Sequence, residues 1–254
     1  MNPYDAWIKP DWPAPAGVHA LVTTRQMPGN SLSPDEAFNL GLRSGENEAI
    51  VRANRDLLAR SLALPSTPRW LHQVHGNRSL RLTEEVLAGE PEADAAFTTQ
   101  PGIVLAILTA DCLPILACAD DGAEFAAIHA GWRGLCAGVI ESCITRLLTP
   151  RERLLAWLGP AIGPKSYEVG NDVRSAFVDA DADASVAHAF VGTRPGHWHC
   201  DLYALARRRL ALLGVTHVFG GGFDTLVDSR FYSYRRDGMR SGRQATLIWR
   251  ANHS

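Results

Sequence analysis

The chain has 254 residues, of which 46% are hydrophobic and 20% are charged, so it can bury a sizeable core and is not a disordered protein. The 25 basic and 27 acidic residues give a net charge of −2, which excludes a general electrostatic footprint for nucleic acid or for an anionic membrane. The five cysteines are odd in number and lack compact spacing, so we expect no disulfide framework. The N-terminal residues show no signal-peptide pattern and no apolar run is long enough to span a bilayer, which indicates a cytoplasmic protein without membrane partners.

The first third of the chain predicts an extended arm, a strand, a loop and a helix. Residues 1–15 contain three prolines, which favour an extended arm. Residues 18–24 are typical of a strand, and the residues at 26–37, rich in glycine, serine and proline, predict a loop. Acidic residues followed by apolar ones at helical spacing predict an amphipathic helix over 46–62. Residues 70–82 look like a strand that is interrupted by a glycine.

The rest of the chain mixes strands and helices. Strands are predicted at 103–108, 113–118, 125–129, 154–158, 216–219 and 245–249, the first three as continuous apolar runs of the kind buried on both faces. Helical spacing predicts one helix from the glycine-rich turn after His129 to Leu148, and another over 201–213. Residues 169–197 show no readable pattern. Because no linker is visible, we predict a single α/β (or α+β) domain spanning residues 1–254.

Polar residues inside apolar runs are the candidates for chemistry, because no phosphate loop, dinucleotide fingerprint, CxxC pair or HExxH motif is present. Asp111 and Cys112 stand between two strands predicted to be buried. A buried cysteine is most often a small apolar residue of the core. The neighbouring aspartate weakens that interpretation, since a carboxylate at the end of an apolar strand needs a partner.

Two histidines add to this set. His129 ends an apolar strand just before a turn into a helix, which is where α/β proteins often place ligands, although a lone histidine there is more often structural. His75 precedes Gly76, which would allow close approach of a ligand. If residues 70–82 form a strand, His72 faces away from His75 and does not join the same site. Two histidines and one thiolate make a three-ligand zinc set that leaves a fourth position for water, as in catalytic sites.

Three blocks resemble the signature motifs of the YfiH-like family, also called the laccase-domain or polyphenol oxidase family. They are Gln73-Val74-His75-Gly76, Ala110-Asp111-Cys112-Leu113-Pro114-Ile115 and His129-Ala130-Gly131-Trp132-Arg133-Gly134. Further matches are Thr23-Thr24-Arg25, Phe38-Asn39-Leu40-Gly41, Asn54-Arg55, Gly159-Pro160-Ala161-Ile162-Gly163 and Ser233-Tyr234-Arg235-Arg236-Asp237. The chain departs from the pattern at Gln26-Met27-Pro28-Gly29 and at Asp224-Thr225, where the family often has a glycine pair and a Cys-Thr pair.

The resemblance implies an α/β/β/α sandwich with mixed sheets and a metal held by His75, Cys112 and His129. It also implies phosphorolysis of adenosine, inosine, guanosine and methylthioadenosine, together with adenosine deamination. In that case the partners are purine nucleosides and inorganic phosphate, and we expect a monomer or weak homo-oligomer. Cys112, His129, His75 and Asp111 are then the candidate catalytic residues.

The polyphenol oxidase name would imply several coppers. Nine histidines with only one His-x-His pair, His197 and His199, cannot supply them, so zinc is expected rather than copper.

By motif position, the family resemblance points to Arg25, Arg55 and Arg133 as arginines that bind the phosphate dianion, and to Asn39 as a contact for ribose or base. Lysine occurs only at positions 9 and 165, so arginine must supply the charge. For each arginine, a surface ion pair is an equally reasonable interpretation.

Two other functions stay open at this point. Another role known in the family is removal of wrongly incorporated serine from a peptidoglycan precursor, an amide hydrolysis in which Cys112 would be the nucleophile and His129 its partner. In the other, the zinc is structural and the protein is a non-enzymatic binding module.

Overall fold

The computed structural model describes residues 7–31, 37–85, 89–181 and 183–251, in which strands and helices are mixed along the chain. The strands are β1 Val18–Val22, β2 Ser79–Arg81, β3 Ala95–Thr98, β4 Val104–Thr109, β5 Leu113–Ala119, β6 Phe125–Ala130, β7 Leu154–Leu158, β8 Glu168–Gly170, β9 Phe190–Arg194, β10 His197–Cys200, β11 His217–Gly220 and β12 Gln244–Arg250. The helices are α1 Glu48–Ser61, α2 Trp132–Cys136, α3 Val139–Ile144, α4 Asn171–Ala180, α5 Ala184–His188, α6 Leu202–Leu212 and α7 Tyr234–Asp237. Within the described ranges, no helix is long and apolar enough to cross a membrane.

The strands form two main sheets and a small one over the described residues. One main sheet is antiparallel, with the order β1-β12-β4. The larger sheet has the order β11-β7-β5-β6-β3-β2 and is mixed, because its two edge pairs are parallel and the pairs between them are antiparallel. The small antiparallel sheet has the order β8-β10-β9.

The two main sheets pack face to face, and helices cover their outer faces. Side chains alternate across a strand, so β4 directs Leu105 and Ile107 into the layer between the sheets and Val104 and Ala106 to the outer side. On that outer side they pack with Leu58 of α1. The outer face of the larger sheet packs against α2, α3, α4 and α6. The resulting order of helix, sheet, sheet and helix confirms the predicted α/β/β/α sandwich with mixed sheets.

Two predicted elements were wrong in extent. The helix expected to run to Leu148 is two short helices that end at Ile144, because Gly138 interrupts it with a φ of +86°. The strand expected over 70–82 is reduced to Ser79–Arg81, and the stretch before it contains one isolated bridge, between His72 and Glu92. His75 has a φ of +61°, which no strand residue adopts.

The remaining comparisons concern residues 169–197, the N-terminal arm and the loop at 26–37. Residues 169–197, which showed no pattern, contain α4, α5 and β9 in full. In the predicted arm, residues 1–6 lie outside the described residues, and 7–15 contribute an isolated antiparallel bridge between Ile8 and Val22. The predicted loop at 26–37 has no helix or strand where it is described, and 32–36 lie outside the described residues.

Candidate metal centre

Cys112 lies in the turn that carries the chain from one main sheet to the other. β4 ends at Thr109 in the antiparallel sheet and β5 begins at Leu113 in the larger one, so residues 110–112 cross between the layers. Asp111 takes a φ of +87°, a conformation that costs free energy for a residue with a side chain and is most often kept at functional sites. Its backbone oxygen accepts a hydrogen bond from Ile162 N, which holds the turn in place.

The Asp111 carboxylate ties this turn to a distant part of the chain. Its Oδ1 accepts a 2.6 Å hydrogen bond from Thr225 Oγ1, and its Oδ2 accepts a 2.6 Å bond from the backbone N–H of Arg235. The side chain is almost fully buried, so these bonds offset the cost of burying its charge. The expectation that Asp111 needs a partner is therefore confirmed, and its catalytic role stays a prediction.

His129 is fixed by its place in the larger sheet and by a carboxylate that the sequence analysis missed. It pairs with Pro114 of β5 and is 2% exposed. Its Nδ1 lies 2.8 Å from Oδ1 of Asp94, and its backbone N–H donates to Asp94 O at 2.7 Å. With Nδ1 directed at the carboxylate, Nε2 is the atom that could bind a metal, the arrangement usual for histidine ligands.

Asp94 also holds the loop that carries His75. Its Oδ1 accepts a hydrogen bond from His75 N at 2.9 Å, and its Oδ2 accepts bonds from Gly76 N at 2.7 Å and Val74 N at 3.3 Å. Asp94 is fully buried, just before β3. The signal that could have identified it is a charged residue beside an apolar run, as at Asp111, but no strand was predicted at 95–98.

The structure brings the three predicted ligands together. The donor atoms of His75, Cys112 and His129 all lie within 4.8 Å of one another, and this is the one such group of three or more found in the described part of the chain. Cys112 Sγ is 3.7 Å from His75 Nε2, and the two imidazole rings are 4.8 Å apart in an edge-to-face arrangement. His72 is outside the group, as expected, although the strand argument used to exclude it was wrong.

The donor set fits a single metal ion. Zinc bonds of about 2.0–2.3 Å place ligand atoms within about 4 Å of each other, so small side-chain rotations would close the observed spacing. His129 is buried and Cys112 half-buried, whereas His75 is exposed, so the group is open to solvent on one side. That matches a catalytic zinc site, which keeps one position open, better than a closed structural one.

Two glycines of the third motif make room for this group. A Cβ atom on Gly131 would lie 2.9 Å from Cys112 Sγ and 3.0 Å from His75 Cδ2. A Cβ atom on Gly134 would lie 2.6 Å from the backbone oxygen of Gly76, so α2 and the His75 loop touch backbone to backbone. In the sequence these glycines stand out only as part of a motif, because their contacts come from residues far apart in the chain.

The ligands polarise one another. Burial raises the pKa of the Cys112 thiol, but the charges and hydrogen bonds of His129 and His75 outweigh burial and lower it to about 6. Burial lowers the pKa of His129, but the Cys112 thiolate and Asp94 outweigh burial and raise it. Burial raises the pKa of Asp94, yet its bond to His129 and its backbone donors hold that pKa below its ordinary value. These surroundings therefore favour the thiolate form of Cys112, which is the form that binds metal.

Arg25 and Arg133, two of the predicted substrate contacts, differ in their contacts within the protein. Arg25 donates from Nε to Ser229 O at 2.9 Å and lies 3.9 Å from the Asp237 carboxylate. Arg133 is exposed four residues after His129, with its guanidinium 4.3 Å from the ring centroid of Trp132. Substrate binding by either arginine stays a prediction.

Asn39 and Arg55 form hydrogen bonds or ion pairs with other residues of the protein. Asn39 is buried, and its amide bonds Ser44 Oγ, Glu46 and the backbone N–H groups of Gly41 and Arg243. Arg55 is buried, forms a 2.6 Å ion pair with Glu90 and lines a separate cavity of about 840 Å³ whose wall includes none of the three ligands. Substrate contacts by these two residues stay predictions.

Known proteins of similar sequence and structure cover nearly the whole chain. A protein of Xylella fastidiosa (strain Temecula1) named purine nucleoside phosphorylase is 51% identical over 262 residues, covering 98% of this chain and 99% of that protein. A protein of Escherichia coli (strain K12) named purine nucleoside phosphorylase YfiH is 49% identical over 243 residues, covering 95% of this chain and 98% of that protein. The crystal structure of Neisseria meningitidis protein NMB0706, 42% identical in sequence, has a TM-score of 0.91 and covers 97% of this chain and 100% of that one.

These matches confirm the resemblance drawn from the motifs. Residues 19–251 match the model of the family described as "Multi-copper polyphenol oxidoreductase laccase". The chain belongs to this family, the YfiH or laccase-domain family.

Proposed function

We propose that the chain is a zinc-dependent purine nucleoside phosphorylase. The observation that carries this proposal is the open group of His75, Cys112 and His129, found in a chain whose relatives of 51% and 49% identity are named purine nucleoside phosphorylases. The proposed substrates are adenosine, inosine, guanosine and methylthioadenosine with inorganic phosphate, and adenosine deamination is proposed as a second activity. Cytoplasmic location and a monomeric or weakly oligomeric state stay predictions.

Zinc is proposed over copper on the number and kind of ligands. The family description names several coppers, whereas the described residues contain one group of three donors. Two imidazoles and one thiolate suit zinc with an open position. Because the same three ligands also suit a single copper, metal analysis of the purified protein has to accompany every assay.

The residues of the chain have separate roles in this proposal. When bound, zinc supplies Lewis-acid chemistry at the open position. Asp94 orients the His129 ring and holds the His75 loop, so both ligands are in place before substrate arrives. Asp111 is proposed to act by fixing the Cys112 turn through its bonds to Thr225 and Arg235.

A second candidate is favoured by the lowered pKa of Cys112 beside His129. A thiolate next to an imidazole can act as a nucleophile, as an amidase that removes serine from a peptidoglycan precursor would require. A non-enzymatic zinc module is less well supported, because the exposed His75 leaves the group open to solvent.

The experiment incubates zinc-loaded protein with adenosine and phosphate and, in parallel, with a muramyl-serine precursor. Release of ribose 1-phosphate and adenine supports phosphorolysis, and release of inosine supports deamination. Cys112→Ala should abolish both reactions, since both depend on the same metal site. Release of serine from the precursor, without turnover of any purine nucleoside, would instead support the amidase.

A further inference from the structure

Three arginines, none within ion-pair distance of a carboxylate among the described residues, lie on segments that adjoin the group of His75, Cys112 and His129. Arg133 belongs to α2, Arg235 to α7, and Arg243 directly precedes β12. In contrast, Arg25 and Arg55 lie within ion-pair distance of Asp237 and Glu90. An arginine without an acidic partner keeps its full positive charge available for an anionic ligand.

The backbone of Arg243 is held next to the Cys112 turn by the sheet register. Gln244 of β12 pairs with Thr109 of β4, so Arg243 lies opposite Ala110, two residues before Cys112. Its backbone N–H donates to Asn39 Oδ1 at 2.9 Å.

The Arg243 side chain is also fixed in place. A Cβ atom on Gly41 would lie 2.6 Å from Arg243 Cγ, so the aliphatic stem packs tightly against that glycine. Nη1 donates to the backbone oxygens of Ser241 at 2.6 Å and Gly242 at 2.8 Å. Its Nε and Nη2 form no hydrogen bond with the described residues, so three N–H groups on two nitrogen atoms are left for a ligand.

Arg235 and Arg133 share the electrostatic environment of Cys112. The backbone N–H of Arg235 bonds Asp111, while its guanidinium donates to Glu168 O at 2.9 Å and lies 5.3 Å from the ring centroid of Tyr167. Burial and the Cys112 charge raise the pKa of Tyr167, whereas Arg235 and Arg133 act to lower it. Tyr167 therefore lies within electrostatic range of the Cys112 thiol and of both arginines.

Arg243 also lies within electrostatic range of the Cys112 thiol. Burial lowers the pKa of Arg243, and the charges of Cys112, Tyr234 and Asp111 act to raise it. The Tyr234 ring centroid lies 5.8 Å from the guanidinium, and the tyrosine is 49% exposed, so it forms an outer wall of the same surface.

We propose that Arg243, Arg235 and Arg133 form the subsite that binds inorganic phosphate beside the metal centre. This inference rests on the proposed phosphorylase function. In the reaction, a phosphate oxygen forms a bond to C1′ of the ribose while the C1′–N9 bond breaks. Its electron pair leaves with the purine, and the proton of hydrogen phosphate ends on the purine nitrogen. Guanidinium groups suit this anion, because they present paired N–H donors to phosphate oxygens.

The test compares Arg243→Met with the wild type and with Arg153→Met. Arg153 is a matched control, because it is an exposed arginine in a surface ion pair. It directly precedes Leu154 of β7, which pairs with Ala119 at the end of β5 that is farther from Cys112. For Arg243→Met, loss of a charge-assisted contact should raise the KM for phosphate by about tenfold to a hundredfold. Zinc content and the KM for the nucleoside should stay unchanged. Arg243→Lys, which keeps the charge, should recover part of the phosphate affinity, which a purely structural role of the side chain would not predict.

Binding of inorganic phosphate to zinc-loaded protein, measured by calorimetry, separates this inference from the proposed function. One outcome is that the wild type binds phosphate and Arg243→Met does not bind it, while neither protein makes ribose 1-phosphate. That outcome supports the phosphate subsite and contradicts the phosphorylase proposal. If the wild type makes ribose 1-phosphate and Arg243→Met keeps its phosphate KM, the subsite assignment is wrong. Should Arg243→Met not fold, the exposed Arg133→Met is measured in the same way, and an unchanged phosphate KM overturns the assignment.

Discussion

Replacing Asp94 with asparagine tests whether one buried carboxylate organises two of the three ligands. In Asp94→Asn, the side-chain oxygen can still face Nδ1 of His129 and the His75 N–H, both of which now bond Oδ1. The new NH₂ group then faces the N–H groups of Gly76 and Val74, now 2.7 and 3.3 Å from Oδ2. A buried donor left without an acceptor costs about 1–3 kcal/mol, so the metal-free protein should lose about that much stability.

Zinc affinity should fall as well, because His129 loses the charged partner that orients it. Loss of such a partner typically lowers metal affinity by about tenfold to a hundredfold. The assay is competition for zinc with a chromogenic chelator, together with thermal unfolding of the metal-free protein. Asp121→Asn, at a half-exposed aspartate of a surface ion pair, is the control and should change neither quantity. Zinc affinity of Asp94→Asn within about twofold of the wild type would refute this role for Asp94.

Two further predictions concern the space and the charge at Cys112. Gly131→Ala places a methyl group 2.9 Å from Cys112 Sγ, so zinc affinity should fall by about tenfold or more while the fold survives, as measured by zinc titration and circular dichroism. In metal-free protein, iodoacetamide should label Cys112 before Cys118, Cys143 and Cys200, which are fully buried thiols with raised pKa values. Because the pKa of Cys112 is lowered to about 6, its labelling rate should rise with pH around that value and level off above it. Bound zinc should protect Cys112 from labelling. The sites are identified by mass spectrometry, and equal labelling at all cysteines would contradict the lowered pKa.

The layers of the fold could be predicted from local patterns. Continuous apolar runs identified β4, β5 and β6, because strands between two packed layers are buried on both faces. The same patterns failed at Gly138, where a single positive φ divides a helix whose apolar spacing continues past the break. They also failed at His75, whose conformation is imposed by the distant Asp94.

The three residues that form the candidate metal group could be predicted, and most of their surroundings could not. Cys112 and His129 stand out in the sequence because each is polar beside an apolar strand. Arg243 gives no such signal, because its position beside Cys112 depends on the pairing of β12 with β4, more than 100 residues apart in the chain. The tight space at Gly131 likewise depends on contacts with Cys112 and His75, which are distant in sequence.

The central claim is that His75, Cys112 and His129 bind one metal ion. X-ray absorption spectroscopy of the purified protein, with metal analysis of the same sample, tests it most directly. We expect one zinc per chain, with one sulfur at about 2.3 Å and two imidazole nitrogens at about 2.0–2.1 Å. In Cys112→Ser the sulfur signal should disappear, whereas Cys136→Ser, at a half-buried cysteine outside the group, should leave the spectrum unchanged. A wild-type spectrum without sulfur, or one that Cys112→Ser leaves unchanged, would contradict the claim.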